Sequence, residues 1–218
     1  MPSSSDTASY IGRHTASVLD FRGREAAVSS ASSIASAPFD RDAGGATLLA
    51  VRRLYLLRHA KSSWDNEALR DRDRPLAPRG LRAARRIARY AGKHDVRPQL
   101  VVSSSAVRAR ETLQGVLPGL GKPEVWIEVT LYAASAETLL ERVRALPDEA
   151  ETAMLVGHNP GISDLLLLLA APGELRERAE AKVPTGALAT LEADVERWVD
   201  LEPGGARIVS FVVPRQLK

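Results

Sequence analysis

Four side chains in this chain of 218 residues have the chemistry to hold and transfer a phosphoryl group together: Arg58, His59, Arg108 and His158. Arg58-His59 follows directly on the apolar run 54–57, and His158 stands in a nearly identical setting, after Met154-Leu155-Val156-Gly157 and before Asn159-Pro160-Gly161. Arg108 follows a third apolar run, 100–102, across the serines 103–105. Loops at the carboxyl ends of strands are where open α/β sheets bind their ligands. A phosphoryl group presents three peripheral oxygens, and arginine's planar fork grips oxygens in pairs where lysine acts as a point charge. A neutral imidazole can attack phosphorus in line, giving a phosphohistidine that water then hydrolyses. Because phosphoryl transfer depends mostly on positioning and charge stabilisation, side-chain cations remove the strict need for a metal, and no magnesium cage is evident in the sequence. A lone histidine after a strand is better read as structural; two histidines with two arginines in this order reverse that reading.

The elements that must position these residues alternate along the chain. After the strand at 54–57, a polar loop reaches Pro75 and Pro78, and the spacing of Leu81, Ala84, Ile87, Ala88 and Ala91 predicts a helix over 79–93. Strands are expected at 100–102, 125–129, 153–156, 186–191 and 208–213, and helices at 106–117, 136–146 and 162–170, with one of the serines 103–105 capping the second helix. Helices interleaved with short apolar strands predict an α/β fold, a three-layer α/β/α sandwich around a mainly parallel sheet.

Composition bounds the class. With 44% hydrophobic residues, 218 residues bury one good core and leave an appendage, at about 100 to 200 residues per domain. The apolar stretch 165–171 is far short of the roughly 20 residues that span a bilayer, which predicts a soluble protein. No cysteine is present, which excludes disulfides and thiolate chemistry. The net charge of +3 suits an anionic substrate and equally describes an arginine-rich solvated surface. Arg79, Arg82, Arg85, Arg86 and Arg89 crowd one helix opposite its apolar side, which reads as a solvated face; with 5% aromatics and no recognition motif, nucleic-acid binding is not expected.

Residues 1–46 are rich in Ser, Ala, Thr and Gly without sustained apolar periodicity, so they form a disordered or targeting extension, and the domain proper spans 51–218. Arg13, Arg22 and Arg24 among serines suit a transit peptide, whereas Asp6, Asp20, Glu25, Asp40 and Asp42 do not. A cytoplasmic location is expected, with organellar import as the alternative. His14 lies in this extension, away from the chemistry.

Four motifs in order carry a family resemblance: Arg58-His59-Ala60-Lys61-Ser62; Asp73-Arg74-Pro75-Leu76 with Gly80; Ser104-Ser105-Ala106-Val107-Arg108-Ala109-Arg110-Glu111-Thr112; and Val156-Gly157-His158-Asn159-Pro160-Gly161. Each is weak alone. Together, over residues 53–214, the chain resembles the histidine phosphatase, or phosphoglycerate-mutase-like, superfamily and, more narrowly, the SixA-type phosphohistidine phosphatases. The resemblance implies that His59 is the phosphorylated nucleophile, that Arg58 and Arg108 bind the phosphoryl oxygens, that His158 donates to the same group, and that no metal or other cofactor takes part. Lys61, Ser62 and Asn159 are further candidates for substrate binding.

Two departures from the superfamily pattern bear on the substrate. The glycine usual after the Arg-His pair is Ala60, as in the SixA-like branch, and the stretch that carries a glutamate general acid in larger relatives reads Leu131-Tyr132-Ala133-Ala134-Ser135. A leaving group that departs easily needs little protonation, which favours phosphohistidine or phosphoramidate over alkyl esters. Asp65, Asp73 and Glu137 are the candidates to replace the missing acid. The expected substrate is a phosphorylated protein of the histidine-containing phosphotransfer type; the alternatives are a small phosphorylated metabolite or, with no catalysis at all, simple phosphate binding. Trp64 reads as a loop anchor, His94 as a helix-closing residue, Asn159-Pro160 as the turn that starts a helix, and the loops 64–73 and 172–184 as the carriers of specificity.

Overall fold

The computed structural model describes residues 51–217. The extension expected over 1–46, with His14, lies outside the described residues. Six strands form one sheet: β1 Val51–Arg58, β2 Leu100–Ser104, β3 Glu124–Glu128, β4 Thr152–Gly157, β5 Leu188–Asp194 and β6 Ala206–Val212, in the spatial order β3-β2-β4-β1-β5-β6. The first four in that order run parallel, and β5 and β6 add antiparallel partners at one side. The sheet is thus mainly parallel, as expected.

Among the described residues five helices cover it: α1 Pro78–Lys93, α2 Val107–Val116, α3 Ala136–Arg144, α4 Gly161–Leu169 and α5 Glu174–Ala181. Strand alternation decides which layer each strand residue meets. Leu54 and Leu56 of β1 pack with residues of α3, α4 and α5, while Tyr55 and Leu57 pack on the other face with Ala84, Ile87 and Ala91 of α1 and Leu113 and Val116 of α2. A strand buried on both faces needs apolar residues without alternation, which is why β1 and β4 read as unbroken apolar runs. Among the described residues no helix is long and apolar enough to cross a membrane.

Three local expectations change. α5 occupies a stretch taken for loop; Ala179 is its one buried residue, so it shows no apolar period to read. Leu81 is 42% exposed, because α1 buries the stripe Gly80, Ala84, Ile87 and Ala91 and Leu81 falls about 100° beside it. The residue capping α2 is Ala106, which makes no side-chain cap; Ser104 Oγ instead accepts from the Ala106 N–H at 3.3 Å. His94 does close α1 as expected, stacking on Tyr90 with centroids 4.2 Å apart.

Candidate active site

β1 and β4 pair in parallel with Arg58 opposite Gly157, and the His59 N–H donates to the Gly157 carbonyl at 2.9 Å. The residue after each strand therefore emerges beside the other, and the His59 and His158 rings stand 4.9 Å apart between centroids, tilted by 49°. The turn is braced from two sides. Gly186 donates its N–H to both the Arg58 and His59 carbonyls at 3.1 Å, in a left-handed conformation with φ of 78° that glycine adopts freely. Thr112 Oγ1, donating to the Arg108 carbonyl at 2.6 Å, accepts the Ala60 N–H at 2.9 Å, so α2 fixes the His59 turn through the last residue of its motif.

The hydrogen bonds around the two imidazoles favour the same tautomer, with the proton on Nδ1, but leave different nitrogens free. His59 Nδ1 lies 2.7 Å from the Ala60 carbonyl, which can only accept, so the proton sits on Nδ1 and Nε2 presents a lone pair. His158 Nε2 lies 2.8 Å from Ser104 Oγ. Among the described residues that hydroxyl has no other acceptor for its proton, and donation to Nε2 satisfies it, which puts the His158 proton on Nδ1. His158 Nδ1 is buried without a partner. One ring is thereby set to attack and the other to donate. Ser104→Ala frees the second tautomer, and we expect it to lower kcat/KM for a phosphoryl donor by about tenfold with KM little changed, since second-layer partners of this kind contribute about 10- to 100-fold; an unchanged rate would show that the hydroxyl does not position His158.

The guanidinium groups flank the rings. Arg58 donates through Nη1 to the Val183 carbonyl at 2.6 Å, and its Nε is buried without a partner. Arg108, in the first turn of α2, is buried, and its Nη2 meets Asp71 Oδ2 at 2.8 Å while its other terminal nitrogen donates to the Asp71 carbonyl. Tyr132 completes this clasp: its hydroxyl donates to Asp71 Oδ2 at 2.9 Å, its ring meets His158 edge-on at 5.5 Å, and the Arg108 guanidinium lies 5.9 Å from its centre. A buried donor without a partner costs about 1–3 kcal/mol, so an anion that satisfies Arg58 Nε and His158 Nδ1 recovers that cost on binding.

Charge and burial together keep both imidazoles neutral. Burial lowers His59 to about 4, with the Arg108 and Arg58 charges adding to it against the Ala60 bond. Burial, then His59 and Arg108, lowers His158 to about 3. Partial burial pushes the Asp71 carboxyl up, but hydrogen bonds from Tyr132 and Arg108 outweigh it and hold the group below its ordinary range, as an anion. The unfolded chain binds protons at 6.5 that the folded imidazoles refuse, so their contribution to stability is whole above that pH and is lost as pH falls toward 4 and then 3. Thermal unfolding from roughly pH 6 to pH 5 should show a loss of about 1.4 kcal/mol per pH unit for each histidine, and His158→Gln should halve the slope. An identical slope in that variant would contradict the assigned shift.

The remaining sequence candidates divide. Lys61 is half-buried beside Arg58, and its carbonyl accepts the Ala77 N–H at 2.9 Å. Gly80 lets α1 approach that carbonyl, because a Cβ there would sit 2.2 Å from it. Ser62 pairs through its backbone with Leu76. Asn159 donates to the Val183 carbonyl at 3.3 Å, sharing that acceptor with Arg58, and its Oδ1 is buried without a partner. Pro160 stands just before α4, as the turn expected of Asn159-Pro160 requires. Trp64 is exposed, with the Arg74 guanidinium 3.3 Å from its ring centre, so it anchors Arg74 in the loop.

None of the three carboxylates considered as a general acid joins the rings through a hydrogen bond: Asp65 accepts from Ser63, Asp73 is exposed, and Glu137 is exposed in the first turn of α3 behind its cap, Ser135. The carboxylate that reaches the site is Asp71, from the same 3-10 turn as Asp73. Asp71, Tyr132 and Ser104 are the residues that sequence reasoning passed over or misassigned. Tyr132 gave the one available signal, as a lone aromatic in the stretch searched for a missing acid.

The family model described as Histidine phosphatase superfamily (branch 1) matches residues 54–134. A Mycobacterium tuberculosis (strain ATCC 25618 / H37Rv) protein of uncharacterised function is 37% identical over 163 residues, covering 73% of this chain and 100% of that protein. Among solved structures, a protein provisionally assigned as phosphohistidine phosphatase SixA from Agrobacterium tumefaciens is 34% identical with a TM-score of 0.63, over 75% of this chain and 98% of that one. Its counterpart from Nakamurella multipartitia is 30% identical with a TM-score of 0.65, over 75% of this chain and 96% of that one.

Proposed function

Because the chain belongs to the histidine phosphatase superfamily and, within it, to the SixA type, we propose that it hydrolyses protein-borne phosphohistidine through a phosphohistidine of its own on His59. Membership of the superfamily supports phosphatase activity; the nucleophile and the substrate are our reading of the site. The observation that carries it is the pair of neutral imidazoles 4.9 Å apart, one with a bare Nε2 and the other with an unpartnered Nδ1.

In this mechanism Arg58, Arg108 and His158 Nδ1–H hold the phosphoryl oxygens, and His59 Nε2 attacks phosphorus in line. The new N–P bond forms as the substrate's N–P bond breaks; the electron pair stays on the substrate nitrogen, and the group leaves as neutral imidazole because the other nitrogen of the substrate ring carries a proton taken from solvent. Water then cleaves phospho-His59 to phosphate. A substrate ring already protonated at its far nitrogen leaves without a general acid at the bridging atom, which matches a site where, among the described residues, the carboxylate within reach, Asp71, is held as an anion by Tyr132 and Arg108. The metal-independent form of the reading rests on two side-chain guanidinium groups doing the work of a cation. Among the described residues no cluster of three or more His, Asp or Glu side chains converges as metal ligands would.

The test is to treat the protein with a phosphorylated histidine-containing phosphotransfer domain and with small phosphate esters, with and without chelator. We expect an acid-labile, base-stable label on His59, faster turnover of the phosphoprotein, and no effect of chelator. Label on another residue, or preference for the esters, would overturn the reading.

A further inference from the structure

Beside the histidine pair runs a groove of about 770 Å³ whose inner end is Arg58 and Lys61. Arg79, Arg82 and Arg86 of α1 form one wall, and Lys182 and Arg215 stand on segments across from them. Among the described residues seven cations line this groove and no carboxylate does, in a chain whose net charge is only +3. Among the described residues none of the seven makes an ion pair, whereas Arg52, Arg53, Arg97, Arg108, Arg142, Arg144, Arg176, Arg197 and Arg207 all do. The five arginines of α1 are all exposed, as the solvated-face reading expects, and they divide into two sets. Arg79, Arg82 and Arg86 follow the spacing i, i+3, i+7 and turn into the groove, and Arg85 and Arg89 do not line it.

We propose that this groove docks an acidic helical face of the phosphoprotein substrate, so that the phosphoryl group arrives at His59 while carboxylates on the partner meet the arginines of α1. The proposal rests on the phosphoprotein reading above. Seven residues of helix rise cover about 10 Å, so a facing helix with an acid on successive turns repeats the spacing of the three arginines. Apart from Arg58 and Lys61, the cations are exposed. Exposed pairs contribute about 0–1 kcal/mol each, too little to cage a small oligophosphate, but a row of them steers and registers a long acidic surface. Among the described residues no aromatic side chain lines the groove, so these residues offer no stacking platform of the kind single-stranded nucleic acid uses.

The experiment measures fluorescence anisotropy of a labelled helical peptide with glutamate on successive turns, with tripolyphosphate and an oligothymidylate as competing probes. R79E/R82E/R86E should weaken peptide binding by about tenfold and R85E/R89E should leave it near wild type, with binding to the wild type falling as salt rises. Both variants should hydrolyse a small phosphoramidate within about twofold of wild type, since neither replaces a group assigned to hold the phosphoryl oxygens. Equal loss in the two variants would reduce the effect to net charge and overturn the proposal. So would no peptide binding, or tighter binding of tripolyphosphate or oligothymidylate that depends on the same three arginines. Anisotropy needs no turnover, so peptide binding with this pattern in a protein inactive on phosphohistidine would keep the docking groove and remove only the substrate reading.

Discussion

His59→Ala is expected to lower turnover of every phosphoryl donor by about 10⁴- to 10⁶-fold, the loss usual when a nucleophile that acts with a unit of partners is removed. Phosphate affinity should change by only a few-fold. The reason for the split is geometric. The groups assigned to hold the anion, Arg58, Arg108 and His158 Nδ1, keep their own supports: Val183 for Arg58, Asp71 for Arg108 and Ser104 for His158. The alanine also removes an imidazole that burial already keeps from being charged, at about 4, so little favourable charge toward phosphate goes with it. Single-turnover kinetics and phosphate titration calorimetry on the same preparation read the two quantities. A rate within tenfold of wild type would end the phospho-His59 mechanism.

Arg108→Ala should lower kcat/KM by about 10³-fold and weaken phosphate binding as well, because a preorganised donor to the transferring group acts in both the ground state and the transition state. It should also move the acidic limb of the kcat/KM profile to higher pH. Arg108 lowers both imidazoles and Asp71 raises them, so deleting the cation leaves the anion unopposed beside the rings. The free-enzyme pKa reported by kcat/KM therefore rises from about 4. Arg108→Lys should restore the position of that limb but recover only part of the rate, since an ammonium supplies charge without the two-pronged fork that also holds Asp71. A pH profile unmoved in Arg108→Ala would show that the guanidinium does not face His59.

The parallel half of the fold was readable because burial on both faces writes a strand as an apolar run, and β1, β2 and β4 carry such runs at Leu54, Leu100 and Ala153. α5 was not readable, because a helix that buries only Ala179 leaves no periodic trace. Ser104 looked like a helix cap because short polar residues before a helix usually cap it; its place at the end of β2, next to β4, turned it toward His158 instead.

Chain pattern alone thus carried the family and the parallel core and singled out Arg58, His59, Arg108 and His158 as candidates, since strand ends and motif order are local properties that one stretch of residues carries by itself. Packing decided everything that depends on distant partners. The clasp of Arg108 by Asp71 and Tyr132 joins residues 37 and 61 positions apart. The free nitrogen of each ring depends on the partner its other nitrogen meets, a carbonyl for His59 and a hydroxyl for His158, and the separation of Arg79, Arg82 and Arg86 from Arg85 and Arg89 depends on which segments close over α1. Hydrogen bonds, burial and charge act through space at a few ångströms, and no spacing along the chain records which groups the fold will bring that close.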